Sequence, residues 1–146
     1  MDTVVKHVVT LLCEELGVHE NQVYSTSQEH LAVWVRGLTW LLFEGRYSLT
    51  ARGQWFPGRN GKRKSHASVY HGMLSIQNVM LTEKWLVEIY HKAKVFLVSH
   101  YKDSLTLQRD GRIIEISGTK NVHFIIEGVR YVTTPMKLIE LLTKNI

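Results

Sequence analysis

Acidic residues are missing from one long stretch of this chain, because no aspartate or glutamate occurs between Glu44 and Glu83. Residues 1–44 hold two basic and six acidic residues, whereas residues 45–82 hold six basic ones: Arg46, Arg52, Arg59, Lys62, Arg63 and Lys64. A stretch with charges of one sign favours an anionic partner, most often nucleic acid. It also argues against a Mg²⁺ site there, because that ion needs oxygen ligands such as carboxylates.

Cysteine is scarce too, with Cys13 alone in an apolar helical pattern that predicts a small buried side chain. A single cysteine excludes an internal disulfide and a cysteine-rich zinc site, and it is consistent with a reducing, cytoplasmic (intracellular) location. No apolar run approaches the length of a membrane span, and acidic Asp2 stands where a signal peptide would carry basic residues. We therefore expect neither a membrane helix nor a signal peptide.

Sequence patterns for catalysis are also missing. The chain contains no Gly-x-x-x-x-Gly-Lys-(Ser/Thr) motif, so nothing favours nucleotide hydrolysis. Among the eight histidines, His66 and His71 are five residues apart, and no pair forms His-x-x-x-His beside a carboxylate. A Ser–His nucleophile would need a third orienting group, which the sequence does not identify. We predict a protein that is not an enzyme and that uses no cofactor or metal.

Apolar residues at helical spacing dominate the first two-thirds of the chain. The first predicted helix runs from Thr3 to Leu16 and stops at Gly17, and the second begins at a capping box from Thr26 to Glu29 and runs to about Glu44. Ser48 and Ser65 are the predicted caps of the third and fourth helices. The fifth helix is predicted to start at Thr82 with Glu83. The four tryptophans lie at core-like positions, although one could stack on a base.

Near Ala93 the pattern changes from helical spacing to short strand-like runs. The predicted strands are Val95–Val98, Leu105–Leu107, Ile113–Ile116, Val122–Ile126 and Val129–Val132, and Thr134-Pro135 opens a last helix. The predicted fold class is therefore α+β. A helical bundle over residues 1–93 precedes a small antiparallel β-meander with a C-terminal helix over residues 94–146.

The third and fourth helices form a candidate helix-turn-helix, since the second of them starts with small polar residues. In such units the start of the second helix reaches the major groove. Ser65, His66 and Ser68 are short donors or acceptors that could touch base edges or phosphates. Val69 would face inward and fix the roll of the helix. The helix N-terminus adds free backbone N–H groups for a phosphate.

At these residues the chain resembles a known family, the C-terminal DNA-binding domain of the bacterial replication initiator DnaA, a Trp-repressor-like helix-turn-helix. The resemblance covers about residues 4–92. It rests on four segments: Arg36-Gly37-Leu38-Thr39, Ser48-Leu49 through Gly53-Gln54-Trp55-Phe56, Gly58-Arg59, and Ser65-His66-Ala67-Ser68-Val69-Tyr70-His71. The initiator's ATPase module has no counterpart in this sequence.

The chain departs from the family at several positions. Ser65 and Ala67 replace base-contacting Asp and Thr residues, so the resemblance does not carry over the family's DNA sequence. The turn is longer by Asn60-Gly61-Lys62-Arg63-Lys64, and the loop Tyr24–His30 lacks the family's arginines. The DNA-binding residues that the sequence and the resemblance together indicate are Arg36, Ser48, Arg52, Arg59, Asn60, Lys62, Arg63, Lys64, Ser65, His66, Ala67, Ser68 and His71.

The expected function is non-catalytic binding of double-stranded DNA in replication or transcription control. A homodimer, or a partner from one of those processes, is consistent with the small appendage, and no membrane is expected. The alternative is a protein–protein interaction module whose basic loop binds an acidic partner. A steep loss of duplex affinity with salt would distinguish the two.

Overall fold

The computed structural model describes residues 1–101, 104–109, 112–118, 122–126 and 129–134, together with Lys137. The chain divides into two compact units, Met1–Leu86 and Val87–Ile146. In chain order the elements are α1 (Thr3–Leu16), α2 (Glu20–Val23), α3 (His30–Leu42), α4 (Leu49–Gly53), a 3₁₀ turn (Arg59–Gly61), α5 (His66–Thr82), α6 (Lys84–Tyr101), β1 (Ser104–Arg109), β2 (Arg112–Gly118), β3 (Val122–Ile126) and β4 (Val129–Thr133).

The first unit is helical, which confirms the helical part of the predicted fold class. Helix α1 has the predicted bounds, and Gly17 ends it in the left-handed conformation with φ of 69°, a conformation that glycine adopts without strain. Helix α3 is the centre of the unit, since every residue from Val35 to Leu42 is buried. Such a segment needs packing partners around its whole circumference. Helices α1, α2 and α5 supply those neighbours.

The predicted capping box before α3 is wrong. Helix α3 begins at His30, and Glu29 itself caps it by accepting bonds from the backbone N–H groups of Leu31 at 3.0 Å and Ala32 at 3.2 Å. Thr26 is therefore not the cap, because the intervening residues lie outside the helix. The short helix α2 was also not predicted, since four residues are too few to show a helical repeat.

Two glycines set the distance between α3 and α5. A Cβ on Gly37 would lie 3.1 Å from the carbonyl oxygen of Gly72, and a Cβ on Gly72 would lie 2.5 Å from the Trp40 ring. The two helices can therefore approach closely only where these residues lack side chains. From the opposite side, α5 buries Val69, Met73 and Ile76 in the same core. This packing fixes which face of α5 remains in solvent.

The second unit contains most of α6 and the four strands. The predicted strand Val95–Val98 is wrong, because these residues continue α6 to Tyr101. A four-residue apolar run fits a buried helix as well as a strand, and periodicity cannot separate the two. The strands lie in the order β1-β2-β3-β4 and pair antiparallel, with Leu105 opposite Ile116 in the first pair. The predicted last helix after Thr134 falls outside the described residues, apart from Lys137.

Within the described ranges, no helix combines the length and the apolar character that crossing a membrane requires.

Candidate nucleic-acid interface

The connection between α4 and α5 is a folded turn. The N–H of Gly58 donates to the carbonyl of Lys62 at 2.5 Å, and the N–H of Lys62 donates to the carbonyl of Arg59 at 3.2 Å. Pro57 and Arg63 form an isolated antiparallel bridge across its base. The described backbone bonds thus hold the basic residues in one defined turn, which we call the basic turn, residues 58–64.

The basic turn is fastened to the end of α4. The N–H of Lys64 donates to the carbonyl of Gly53 at 3.0 Å, and a Cβ on Gly53 would collide with the carbonyl oxygen of Lys64. The guanidinium of Arg63 donates to the backbone carbonyl of Gln54. Gly53 is therefore required by the close approach of two backbones, and its replacement would push the turn away from α4.

Helix α5 starts as predicted. The Ser65 hydroxyl accepts the N–H of Ser68 at 3.2 Å, and the two hydroxyls lie 3.1 Å apart. This is an N-cap of the usual kind, in which the side chain replaces a missing helical bond. Both serine side chains thus have a structural role in the cap, although both remain exposed at the surface.

His66 joins the two helices of the candidate helix-turn-helix. Its Nε2 lies 2.5 Å from the hydroxyl oxygen of Thr50 on α4. Because the imidazole is exposed and also positioned by α4, its other nitrogen has a defined direction at the surface. Ser48 caps α4 by accepting the N–H of Ala51 at 3.1 Å, which confirms the second predicted cap.

The outward face of α5 is long and uncharged. No Lys, Arg, Asp or Glu occurs between His66 and Thr82. Ala67, His71, Leu74 and Asn78 are all exposed and recur at helical spacing, so they form one stripe along the helix. We call these four residues the α5 stripe. Two of them, Leu74 and Asn78, were not among the predicted site residues, although the inward positions of α5 imply the opposite stripe.

Arg36 does not reach this surface, and its predicted DNA contact is wrong. The side chain is 3% exposed. Its guanidinium donates to four backbone carbonyls, those of Val23 at 2.9 Å and of Gln22, Ser25 and Ser27 at 2.8 Å. Burial lowers the pKa of Arg36 from its ordinary value. Arg36 therefore holds the α2–α3 connection in place rather than facing a ligand.

Arg52 is also a core residue, 4% exposed, so its predicted DNA contact is wrong as well. Its Nη1 donates to the carbonyl of Trp40 at 2.8 Å, and the Trp40 indole donates back to the carbonyl of Arg52 at 2.9 Å. Burial lowers the pKa of Arg52, and the charge of Glu44 acts in the opposite direction. This reciprocal pair joins α4 to α3.

The four basic residues of the basic turn lie at or near the surface. Arg59, Lys62 and Arg63 are exposed, and Lys64 is half-buried. The pKa of Lys64 is lowered, first by burial and then by the positive charges of Arg36 and Arg59. Both charges named here are positive, so an anion bound at Lys64 would relieve that repulsion. The side chain of Asn60, the other predicted residue of the turn, lies outside the described part.

Beside the basic turn lies a cleft of about 260 Å³, lined by Tyr24, Gln54, Trp55, Phe56, Lys62 and Arg63, with Pro57 and Gly61 completing it. The rings of Tyr24 and Phe56 are 5.8 Å apart. Burial raises the pKa of Tyr24 to about 12, and the charge of Glu20 adds to this effect. The sequence did not single out this cleft, because its aromatic residues come from two separate segments.

Among the described residues, no three His, Cys, Asp or Glu side chains come together as a metal site would require. No protein-family model matches the chain, and no curated protein and no solved structure compared with it matches either.

Proposed function

We propose that this protein binds double-stranded DNA without catalysis, with α5 in the major groove and the basic turn on the phosphate backbone. One observation carries the proposal: an exposed, uncharged helix face follows directly on a turn whose exposed charged side chains, Arg59, Lys62 and Arg63, are all cationic. Cations position a protein on phosphates, and polar side chains on an exposed helix face can read base edges. The two halves of such an interface are adjacent in this chain.

The dimensions of α5 support this placement. Its 17 residues correspond to about 25 Å of helix, and the major groove is about 12 Å wide, which admits one α-helix. On the α5 stripe, the amide of Asn78 suits an adenine edge, and the apolar side chains of Ala67 and Leu74 suit thymine methyl groups. The imidazole of His71 adds a donor or acceptor next to them. These residue types favour a site that contains A·T pairs.

The resemblance to the initiator's DNA-binding domain supports a role in replication or transcription control, with a DNA sequence that differs from that family's. The second unit, with its four antiparallel strands, would serve as an appendage for a homodimer or another partner. A two-fold dimer would place two α5 helices about one DNA turn apart.

The proposal is tested by removing two exposed charges of the turn in the Arg59→Gln/Lys62→Gln variant. Each lost phosphate contact reduces the slope of log affinity against log salt by about 0.9, so we expect the slope to flatten by about 1.8. The measurement is fluorescence anisotropy on a labelled random-sequence duplex at several salt concentrations. Lys6→Gln/Lys84→Gln is the matched control, since both lysines are exposed and lie outside the turn.

The control variant should retain the slope of the wild-type protein. If both double variants flatten the slope equally, net charge alone causes binding and the turn has no special place in it. If neither variant changes duplex affinity, the basic turn does not contact DNA and the proposal fails.

A second candidate function is a protein–protein interaction module whose basic turn binds an acidic partner. It is favoured by three apolar side chains on α5, since Tyr70, Leu74 and Leu81 are 52%, 41% and 69% exposed. Under this candidate, Leu74→Ser would leave duplex binding unchanged and weaken capture of the acidic protein. Under DNA binding, Leu74→Ser would change the base preference of selected duplexes.

A further inference from the structure

The cleft beside the basic turn combines an aromatic wall with a cationic rim. Tyr24 is 37% exposed and Trp55 is half-buried, so each presents part of its ring to solvent. Phe56 lies behind them at 1% exposure. Lys62 and Arg63 line the same cleft. Aromatic faces beside cations are the two features that proteins use to hold unpaired nucleotides.

The size of the cleft limits what it can hold. Its volume of about 260 Å³ is slightly below the range of about 300–1,000 Å³ that is typical of small-molecule pockets. A single planar base fits this limit better than a larger ligand. The aromatic wall offers stacking to any base, because every base has a π-face.

The charges of the cleft select an anionic ligand. Among the residues that the structure describes, no carboxylate lines the cleft, and the guanidinium of Arg63 is held against the rim by the carbonyl of Gln54. Glu20 acts on Tyr24 through its charge, but its side chain does not line the cleft, and its carboxylate accepts the hydroxyl of Thr10 at 2.5 Å. A phosphate attached to the stacked base would thus meet the cations of Lys62 and Arg63 at the rim.

We infer that the cleft is a binding site for one unpaired nucleotide, with the base against Tyr24 and Trp55 and its phosphate on Lys62 and Arg63. This site is separate from the α5 stripe that would read a duplex. A single strand or a free mononucleotide would supply the same chemistry. With a single strand as the ligand, and resting on the proposed duplex binding, the protein would hold an unpaired base next to duplex DNA.

The test uses the full chain and two readouts. Amide chemical shifts are followed while thymidine 5′-monophosphate, thymidine or inorganic phosphate is added. The expected result is a saturable shift at Gln54, Gly61 and Lys62 with the nucleotide, and weaker shifts with either half alone. A labelled eight-residue oligo(dT) is then titrated by anisotropy. Tighter binding of the oligonucleotide identifies a single strand as the ligand, and equal binding identifies the mononucleotide.

Variants assign the site to the cleft. Loss of one stacking ring weakens binding of a single strand by about 5- to 150-fold. Tyr24→Ala, which removes the ring, should therefore weaken oligo(dT) binding by this factor, and Tyr24→Phe, which keeps the ring, should leave it unchanged. Tyr70→Ala is the control, because Tyr70 is an exposed tyrosine on α5 outside the cleft. Duplex affinity should be unchanged in Tyr24→Ala, so this proposal can fail while the proposed duplex binding stands.

Two outcomes overturn the inference. One is the absence of any saturable shift at the cleft amides of the wild-type protein, which needs no variant to fold. The other is an equal loss of oligo(dT) binding in Tyr70→Ala and Tyr24→Ala, which would place the strand on α5.

Discussion

Replacement of Arg36 distinguishes a structural arginine from a DNA-binding one. Arg36→Met retains an apolar stem of similar length and removes the guanidinium. Four backbone carbonyls then lose their donors. Hydrogen bonds to charged groups contribute about 1.5–3 kcal/mol each, which sets the upper limit of the loss. The carbonyl of Val23, at 0% exposure, has no access to water after the change.

The net loss is smaller than that limit for two reasons. The buried guanidinium costs desolvation energy in the wild-type protein, and the variant no longer has this cost. Gln22 is exposed and Ser25 and Ser27 are half-buried, so their carbonyls can regain water. We expect the free energy of unfolding to fall by at least about 1–3 kcal/mol, the cost of leaving the buried carbonyl of Val23 without a donor. For a unit of this size, that lowers Tm by at least about 4 °C.

The assay is urea and thermal unfolding followed by circular dichroism, together with duplex affinity at a temperature where the variant is folded. Arg59→Met is the control, since an exposed arginine should change stability by no more than about 0.5 kcal/mol. Arg36→Met should lose stability and retain duplex affinity. Arg59→Met should retain its stability and lose duplex affinity. A stable Arg36→Met protein with weakened duplex binding would refute the reasoning and return Arg36 to the interface.

Three further predictions follow from single contacts. Gly53→Ala should lower the free energy of unfolding, measured in urea, by about 1–3 kcal/mol, because the new Cβ would collide with the backbone of Lys64. Unchanged stability would contradict the close approach of the two backbones. Burial first, and then the negative charges of Glu20 and Glu14, raise the pKa of the Cys13 thiol from 9.0 to about 12. Between these two pH values the folded state keeps a proton that the unfolded state loses. Stability should therefore fall as pH rises above about 9, and Cys13 should resist an aromatic disulfide reagent at pH 8 until urea is added; equal rates in both conditions would refute this. His66→Ala should change the motif selected from random duplexes more than it changes non-specific affinity, and an unchanged motif would exclude base contact by His66.

Local signals in the sequence predicted the features that depend on neighbouring residues only. Ser48 and Ser65 cap their helices as expected, because a cap needs one side chain and the next turn of backbone. Gly17 ends α1 for the same kind of reason. The strand predicted at Val95–Val98 failed because four apolar residues carry no period of their own. What decides their structure is the helix already running from Lys84.

The roles of individual arginines could not be predicted, because charge in a sequence does not show direction in space. The family resemblance aligned Arg36 and Arg52 with a DNA-binding unit, and both proved to be internal donors to backbone carbonyls. A sequence signal was nevertheless present, since each stands among residues that the helical pattern places in the core. An arginine within an apolar helix needs acceptors there, and carbonyls in the last turns of α2 and α3 supply several of them.

The burial of Arg52 also changes what the acid-free stretch means. Part of its positive charge is structural, since Arg52 is buried and serves to join α4 to α3. What remains for a ligand is concentrated in the basic turn, within a few residues of the first turn of α5. A smaller charge at one defined place favours a specific docked geometry more than a larger charge spread over a surface. For that reason, the position of the cations beside the α5 stripe supports duplex binding more strongly than the net charge of the chain does.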